Sequence, residues 1–324
     1  MTLHINEAEV RQLLTMPMAL EAVEEISRKQ ATGRAILHSR RRFELPESGG
    51  FFHYMAAMDT EAGFIAMKQY TYVRGTLRFL VPLYEIATGA LLALIEADFL
   101  GQQRTGAASG VATKFLARKD ARAAAIIGTG GQAKTQLEAI AMVRKLDSVR
   151  VYGRDPQRRS AFCQEMSARL GIVVRPADSA GEAVRGADII NTATTSAKPV
   201  LDGLGIAEGA HINAVGANHA HKRELDDLAI SRAEVIFVDS LAQSEQEAGD
   251  LIIPFQAQPQ KWHLVKELHQ LVAEHVPGRA SEKQITLFKS NGIATWDLAV
   301  AQRIYALAKE RKLGRELHFF SSDK

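Results

Sequence analysis

The run Ala124-Ala-Ile-Ile-Gly-Thr-Gly-Gly-Gln-Ala133 ends a short apolar segment in Gly128-x-Gly130-x-x-Ala133. This spacing suits a pyrophosphate. Gly128 permits a tight turn, Gly130 lets backbone approach the phosphates, and the small Ala133 lets a following helix pack on the preceding strand. Leu137, Ala139, Ile140, Met142 and Val143 continue the pattern as a helix, whose N-terminus, with Gly131 and Gln132, faces a dianion. The pattern predicts a dinucleotide site. Which dinucleotide depends on the end of the next strand, where a carboxylate would accept from ribose hydroxyls and repel a 2′-phosphate. Here the run is Val151-Tyr-Gly-Arg154-Asp155-Pro-Gln-Arg158-Arg159, with glycine in the expected acidic place. Arg154, backed by Arg158 or Arg159, suits a 2′-phosphate and favours NADP(H). NAD(H) stays open, because Asp155 could reach the ribose and the paired arginines also read as a solvated helix face.

The elements that must hold this loop follow from alternation. Strand patterns at 123–127, 149–152, 173–175, 189–192, 211–215 and 235–238 are separated by helical ones such as 156–170 and 179–184. Such a chain forms a parallel sheet with helices on both faces, a doubly wound Rossmann-type α/β domain. Ligands bind beyond the C-terminal strand ends, so the loops after Gly128, Thr192 and Val215 are expected to hold the cofactor, with Gly216 among them. The first part of the chain differs. Val10, Leu13, Ala19, Leu20, Val23 and Ile26 have helical spacing up to Gly33, and strand patterns follow at 51–58, 63–72, 78–84 and 91–96. This predicts a mostly antiparallel α+β domain. A helix of small residues from Thr105 leads onward, and a final amphipathic helix at 294–312, through Leu298, Ala301, Ile304 and Leu307, is expected to return to the first domain or to a dimer partner. The expected division is 1–114 completed by 294–324, with 115–293 as the nucleotide domain.

Composition narrows the partners. A chain of 324 residues exceeds the size of one core, which favours two domains. Forty basic against 37 acidic residues leave a net charge of +3, spread along the chain, so nucleic acid is not the expected partner. The single Cys163 lies in a helical pattern and reads as a buried structural thiol. No basic leader or apolar run of membrane length occurs, and a cytoplasmic protein without a metal centre is expected.

The chain resembles the ornithine cyclodeaminase/μ-crystallin family over nearly its whole length. The residues that carry this are Met67-Lys68, Glu96-Ala-Asp98 leading into Arg104-Thr105-Gly-Ala-Ala, the glycine loop, Ile212-Asn-Ala-Val-Gly-Ala217 with Arg223-Glu-Leu225, Glu247-Ala-Gly-Asp250, and Thr286-Leu-Phe-Lys-Ser290. The resemblance implies hydride movement at the α-carbon of an amino or imino acid, and a homodimer whose sheets join across the interface. It puts Thr105 and Lys289 among the cofactor contacts. It matches Arg42 and Lys68 to the substrate-carboxylate residues, with Arg104 contacting carboxylate or cofactor phosphate. Such a clamp is what an α-imino carboxylate needs for its imine carbon to be held at attack distance. Taken without the motif, Lys68 reads as a strand-end lysine, and Arg40-Arg41-Arg42 as a charge run of which one need be functional.

Two departures shape the expected reaction. Where the cyclodeaminases carry an acidic residue after a glycine pair, this chain has Asn218; their second acid, which holds the distal amine of ornithine, aligns with His53. A cationic ω-amino group would lack an anionic partner, which favours imine reduction to an L-amino acid over ornithine or lysine cyclisation. His53 and His219 are candidate proton donors. A μ-crystallin-like protein that binds NADPH with little turnover is the alternative from another class. Arg74 and Arg78, close after Lys68, raise the expectation of a second carboxylate subsite, as for iminosuccinate.

Overall fold

The computed structural model describes residues 1–319. It divides into two compact units, one formed by Met1–Arg104 with the chain from Ile293 onward, the other by Thr105–Gly292. The boundary falls inside the helix Asp98–Leu116, at Arg104 rather than at 114. From Gly106 the helix belongs with the nucleotide sheet because it lies against the helix Gly131–Val143. A Cβ at Gly106 would come within 2.5 Å of the Thr135 carbonyl oxygen, so the small residues serve a close helix–helix approach.

The first unit is a seven-stranded sheet in the order Arg315–Leu317, Thr2–Ile5, Leu91–Glu96, Thr76–Glu85, Phe64–Val73, Gly50–Asp59, Ala35–Leu45. All neighbours are antiparallel except Thr2–Ile5 with Leu91–Glu96. The Ala35–Leu45 strand was not expected, since its arginine run reads as solvated charge. Past an irregularity between His38 and Arg41, alternation leaves Arg41 exposed, Arg40 buried and Arg42 half-buried. Helices Met16–Ala31 and Ala294–Arg311 pack against the sheet, burying Ala57, Ala66, Val81, Leu83, Ala93 and Ile95. The last helix therefore returns to the first unit. Its opening stretch, Ala294–Ala301, is buried on every side, and its solvated face begins only afterwards. On the opposite face of the sheet Phe52, Tyr54, Ala56, Met58, Ile65, Met67, Leu80 and Tyr84 stay half-buried, and Phe43 is 58% exposed. Phe43 and Tyr54 stack there on Phe52, at 6.3 and 6.0 Å between centroids.

Two carboxylates set the helix that carries Arg104. Glu7 accepts from the Asp98 and Phe99 amides at 3.2 and 2.8 Å, at the start of Asp98–Leu116. Glu96, just ahead of that helix, accepts from the Glu7 amide at 2.9 Å, at the start of Glu7–Leu13. Each acid meets the electropositive end of the other's helix, which fixes the entry angle of both.

The second unit is an eight-stranded, wholly parallel sheet in the order Val265–Glu267, Ala233–Val238, Ile285–Lys289, His211–Ala214, Ile189–Thr192, Ala123–Ile127, Ser148–Tyr152, Val174–Pro176. From Ala123–Ile127 the chain steps outward through two strands, then returns to Ile189–Thr192 on the other side. The strand order thus reverses at the glycine loop, the crevice where such sheets take ligands. Apolar clusters cover both faces, and Cys163 lies in one of them, where burial raises its thiol pKa. No described helix is long and apolar enough to cross a membrane.

Candidate active site

In the first unit Lys68 points from the strand Phe64–Val73 toward the packed helices, on the same face as Met55, its cross-strand partner. Its Nζ donates to Asp297 Oδ1 at 3.0 Å, and Arg104 Nε donates to the same oxygen at 3.0 Å. Gly101 makes room, since a Cβ there would sit 2.7 Å from Lys68 Nζ. Burial lowers the Lys68 pKa from 10.5 to about 8; the Asp297 charge opposes that fall, while Arg104 and Arg40 add to it. Its ammonium also lies 5.3 Å from the centroid of the Phe79 ring. Arg104 Nη1 and Asp297 Oδ2 are buried and have no hydrogen-bond partner among the described residues.

Arg42 lies on the edge strand of the same sheet, opposite His53, its guanidinium 5.7 Å from the Phe51 ring centroid. Its Nη2 is also buried and unpartnered among the described residues. Arg40, two residues back, is 7% exposed and lies against Met55 Sδ at 4.0 Å. The charge run thus sends two members inward, where the sequence required one. His53 is buried in an aromatic cluster, stacked on Phe51 at 4.2 Å, with Nδ1 2.6 Å from Tyr70 Oη; Tyr70 in turn lies on Phe79.

Asp297 was missed in the sequence, although a signal existed. It is the lone acid in the otherwise uncharged stretch 291–302, and an acid in a buried stretch needs a cation or several donors.

In the second unit, Gly128 has φ +120°, and a Cβ there would lie 2.4 Å from the Ala193 carbonyl oxygen. Gly130 is the N-cap residue of Gly131–Val143, has no side-chain cap, and opens onto free space. Gly131 and Gln132 are exposed, no acid occupies the first turn, and Ala133 is buried under the helix. Uncapped amides over an open space fit a dinucleotide pyrophosphate.

The two loops alongside are tied by Glu224. Its carboxylate accepts from the Thr194 amide at 2.7 Å, the Gly216 amide at 2.7 Å and the Thr192 hydroxyl at 2.8 Å. Burial raises its pKa, and those donors pull the other way. Asp250 accepts from the Glu224 and Leu225 amides at 2.7 and 2.9 Å and pairs with Lys289 Nζ at 3.2 Å. This network corrects two expectations. Lys289 is wholly buried, donating to the Ala214, Ala217 and Ser290 carbonyls, so it braces the loop from beneath instead of touching cofactor. Thr192 is likewise buried with its hydroxyl committed to Glu224, and the Gly216 amide is spoken for. Val215 and Asn218 remain half-buried in the loop, and Asn218 Oδ1 lies 2.9 Å from His219 Nδ1. Thr105 is 9% exposed, and its carbonyl accepts from Gln136 Nε2 at 3.0 Å.

At the end of Ser148–Tyr152, Gly153 has a packing reason, because a Cβ would stand 2.7 Å from Thr129 Cγ2 and 3.0 Å from its Oγ1. Arg154 and Arg158 are exposed. One oxygen of Asp155 caps the helix Pro156–Leu170 through the Gln157 and Arg158 amides, which ties its carboxylate to the helix start. Arg159 donates to the Gly153 carbonyl at 3.1 Å. A further correction concerns Arg78: it pairs with Thr71, so alternation turns it to the sheet face away from Lys68, while Arg74 sits exposed in a turn. Neither extends the Lys68 cluster.

Fold and site together define a two-unit α/β protein, with a Rossmann-type sheet joined to an α+β unit that buries a cluster of cations. The chain belongs to the ornithine cyclodeaminase/mu-crystallin family, whose model matches residues 2–312. It is 39% identical over 249 residues to a Delta(1)-pyrroline-2-carboxylate reductase of Bacillus cereus, covering 75% of each chain. Among solved structures it is similar to the Delta(1)-pyrroline-2-carboxylate reductase of Thermococcus litoralis in complex with NADH and L-proline, with a TM-score of 0.94, 36% identity, and coverage of 98% of this chain and 100% of that one. An archaeal alanine dehydrogenase dimer with bound NAD matches with a TM-score of 0.92 and 33% identity, covering 98% of this chain and 99% of that one.

Proposed function

We propose that the protein is an NAD(P)H-dependent reductase that converts an α-imino acid to the L-amino acid. The observation that carries this reading is the buried cation group of the first unit, where Arg104 Nη1, beside the Lys68 ammonium, has no partner among the described residues, and Arg42 Nη2 on the edge strand of the same sheet has none either. Buried donors of this kind call for an anion, and a planar guanidinium matches a carboxylate. The clamp fixes the acid group, so that the α-carbon is presented in one orientation. A nicotinamide cofactor supplies the hydride, and the glycine loop of the second unit is built to hold its pyrophosphate. The aromatic cluster of Phe51, His53, Tyr70 and Phe79 beside the cations suits a flat, uncharged imine ring. Neither His53 nor Asn218 offers a carboxylate to a diamine, which argues against cyclodeaminase chemistry.

Three finer readings belong to the same proposal. NADP(H) is favoured over NAD(H), because Gly153 offers no carboxylate, Asp155 is tied to the helix start by one oxygen, and Arg154 is exposed nearby. The assembly is a homodimer joined through the sheet face that carries Phe43, Phe52 and Tyr54, an apolar surface suited to a second copy. A lone buried cysteine suits a reducing compartment such as the cytoplasm.

The test is cofactor oxidation across pyrroline-2-carboxylate, piperideine-2-carboxylate, pyruvate with methylamine, and oxaloacetate with ammonia, each with NADH and NADPH. Cyclic imino acids are expected to turn over best, and Lys68→Ala to lose most of that turnover while still binding cofactor. Ammonia release from ornithine without net cofactor oxidation, or wild-type turnover in Lys68→Ala, would overturn the proposal.

A further inference from the structure

Asp297 has no assigned part in the reaction, yet the clamp converges on it. Its Oδ1 takes both Lys68 Nζ and Arg104 Nε at 3.0 Å, and the residue is wholly buried in the helix Ala294–Arg311. Two elements are fitted to that one oxygen. The strand Phe64–Val73 delivers Lys68, the helix Asp98–Leu116 delivers Arg104, and Gly101 of the same helix leaves the gap through which the ammonium reaches. Arg104 reaches this oxygen through Nε, and its Nη1 is buried with no partner among the described residues.

The surroundings explain why an acid is needed. Lys68 is flanked by Arg40 from Ala35–Leu45 and Arg104 from Asp98–Leu116, with His53 and Met55 on the neighbouring strand, Tyr70 on its own strand and Phe79 on the next. None of these is an acid, and the carboxylate that acts on Lys68 among the described residues is Asp297. Without it, burial and two guanidinium groups would act on the ammonium unopposed, and a neutral amine cannot attract a carboxylate as an ion does.

We propose that Asp297 is the positioning residue of the carboxylate clamp: one of its oxygens aims Lys68 and Arg104 together and keeps the Lys68 ammonium charged at working pH. The role rests on the reductase reading only in naming what the clamp holds. Asp297 touches neither substrate nor reacting atoms in this assignment, and it acts through the two cations it orients.

The experiment compares full-length wild type, Asp297→Asn and Asp297→Glu. Lys68 Nζ is titrated by NMR on 15N-lysine-labelled protein, assigned with Lys68→Arg, and KM and kcat for pyrroline-2-carboxylate are measured from pH 6.5 to 9. In Asp297→Asn the Lys68 transition is expected to move down by about one pH unit or more from its position near 8. KM at pH 8 should rise about tenfold and recover as the pH is lowered, with kcat less affected. Asp297→Glu should restore the titration and part of the KM. An unmoved Lys68 titration in Asp297→Asn overturns the proposal, as does a KM loss that is the same at every pH. If Asp297→Asn does not fold, Asp297→Glu decides, and a Lys68 that titrates well below wild type there counts against the role. Should wild type reduce no imine, the reductase reading falls while the titration still judges Asp297.

Discussion

Replacing Arg154 by alanine isolates the basis of cofactor choice. Five residues just past Ser148–Tyr152 bear on the adenosine ribose, and three are held back. Gly153 has no side chain, one oxygen of Asp155 is engaged by the Gln157 and Arg158 amides at 2.9 and 3.1 Å, and Arg159 is engaged with the Gly153 carbonyl at 3.1 Å. That leaves Arg154 and Arg158, both exposed, of which Arg154 is the nearer to the strand end. A 2′-phosphate carries roughly −1.5 to −2 charges at neutral pH. A charge-assisted hydrogen bond to it is worth about 1.5–3 kcal/mol when sheltered. Exposure screens it toward the weaker end, so about 1–2 kcal/mol is expected, a factor of roughly 5–30. Dissociation constants for NADPH and NADH, from nicotinamide fluorescence at fixed ionic strength, should show that factor for NADPH alone, with NADH changed less than about twofold. The NADPH loss should also shrink at high salt, where the wild-type advantage is screened. Equal weakening of both cofactors, or of neither, would refute the argument and assign the phosphate to another residue.

Two further outcomes follow from buried ionisable groups in the second unit. Lys289→Met leaves Asp250 buried without its cation, which should cost about 3–5 kcal/mol in urea unfolding; a loss under about 1 kcal/mol would mean the pair does not brace the loops. His211 is fully buried between Thr286 and Asn213, and burial lowers its pKa from 6.5 to about 3. In that window the unfolded chain takes up a proton that the folded one refuses, so stability present above pH 6.5 is lost as the pH falls, at up to about 1.4 kcal/mol per unit. Urea midpoints of wild type and His211→Asn between pH 6.5 and 4.5 should diverge in slope, and parallel slopes would contradict the assignment.

The nucleotide fold was legible because its signals are local: an apolar strand, a glycine turn and a helical period lie within one short segment around Gly128. The antiparallel sheet was legible in four of its five inner strands for the same reason. The strand Ala35–Leu45 was not, because alternation along an edge strand rich in arginine resembles solvated charge until a partner strand supplies the inward face. Site residues divide in the same way. Lys68, Arg42 and Arg104 were read as cations suited to a carboxylate, and the structure gathers them in one unit. Lys289 reads as a cofactor contact from its place in a motif, and Thr192 from its place at a strand end. Their commitments to Asp250 and Glu224 arise from residues distant in the chain, which no spacing rule reveals. Asp297 is the converse case, where a buried acid signalled a missing cation but not which one.

The contact between Thr129 and position 153 constrains how this chain can change its cofactor. Both branches of the threonine lie within 3.0 Å of where a first side-chain carbon would begin, so an aspartate that would suit the 2′-hydroxyl meets a closed door. An acid at the strand end becomes a two-step change, in which the second residue of the glycine fingerprint shrinks before position 153 can take a side chain. Selection acting on single substitutions would find the second step blocked until the first had drifted in unrewarded.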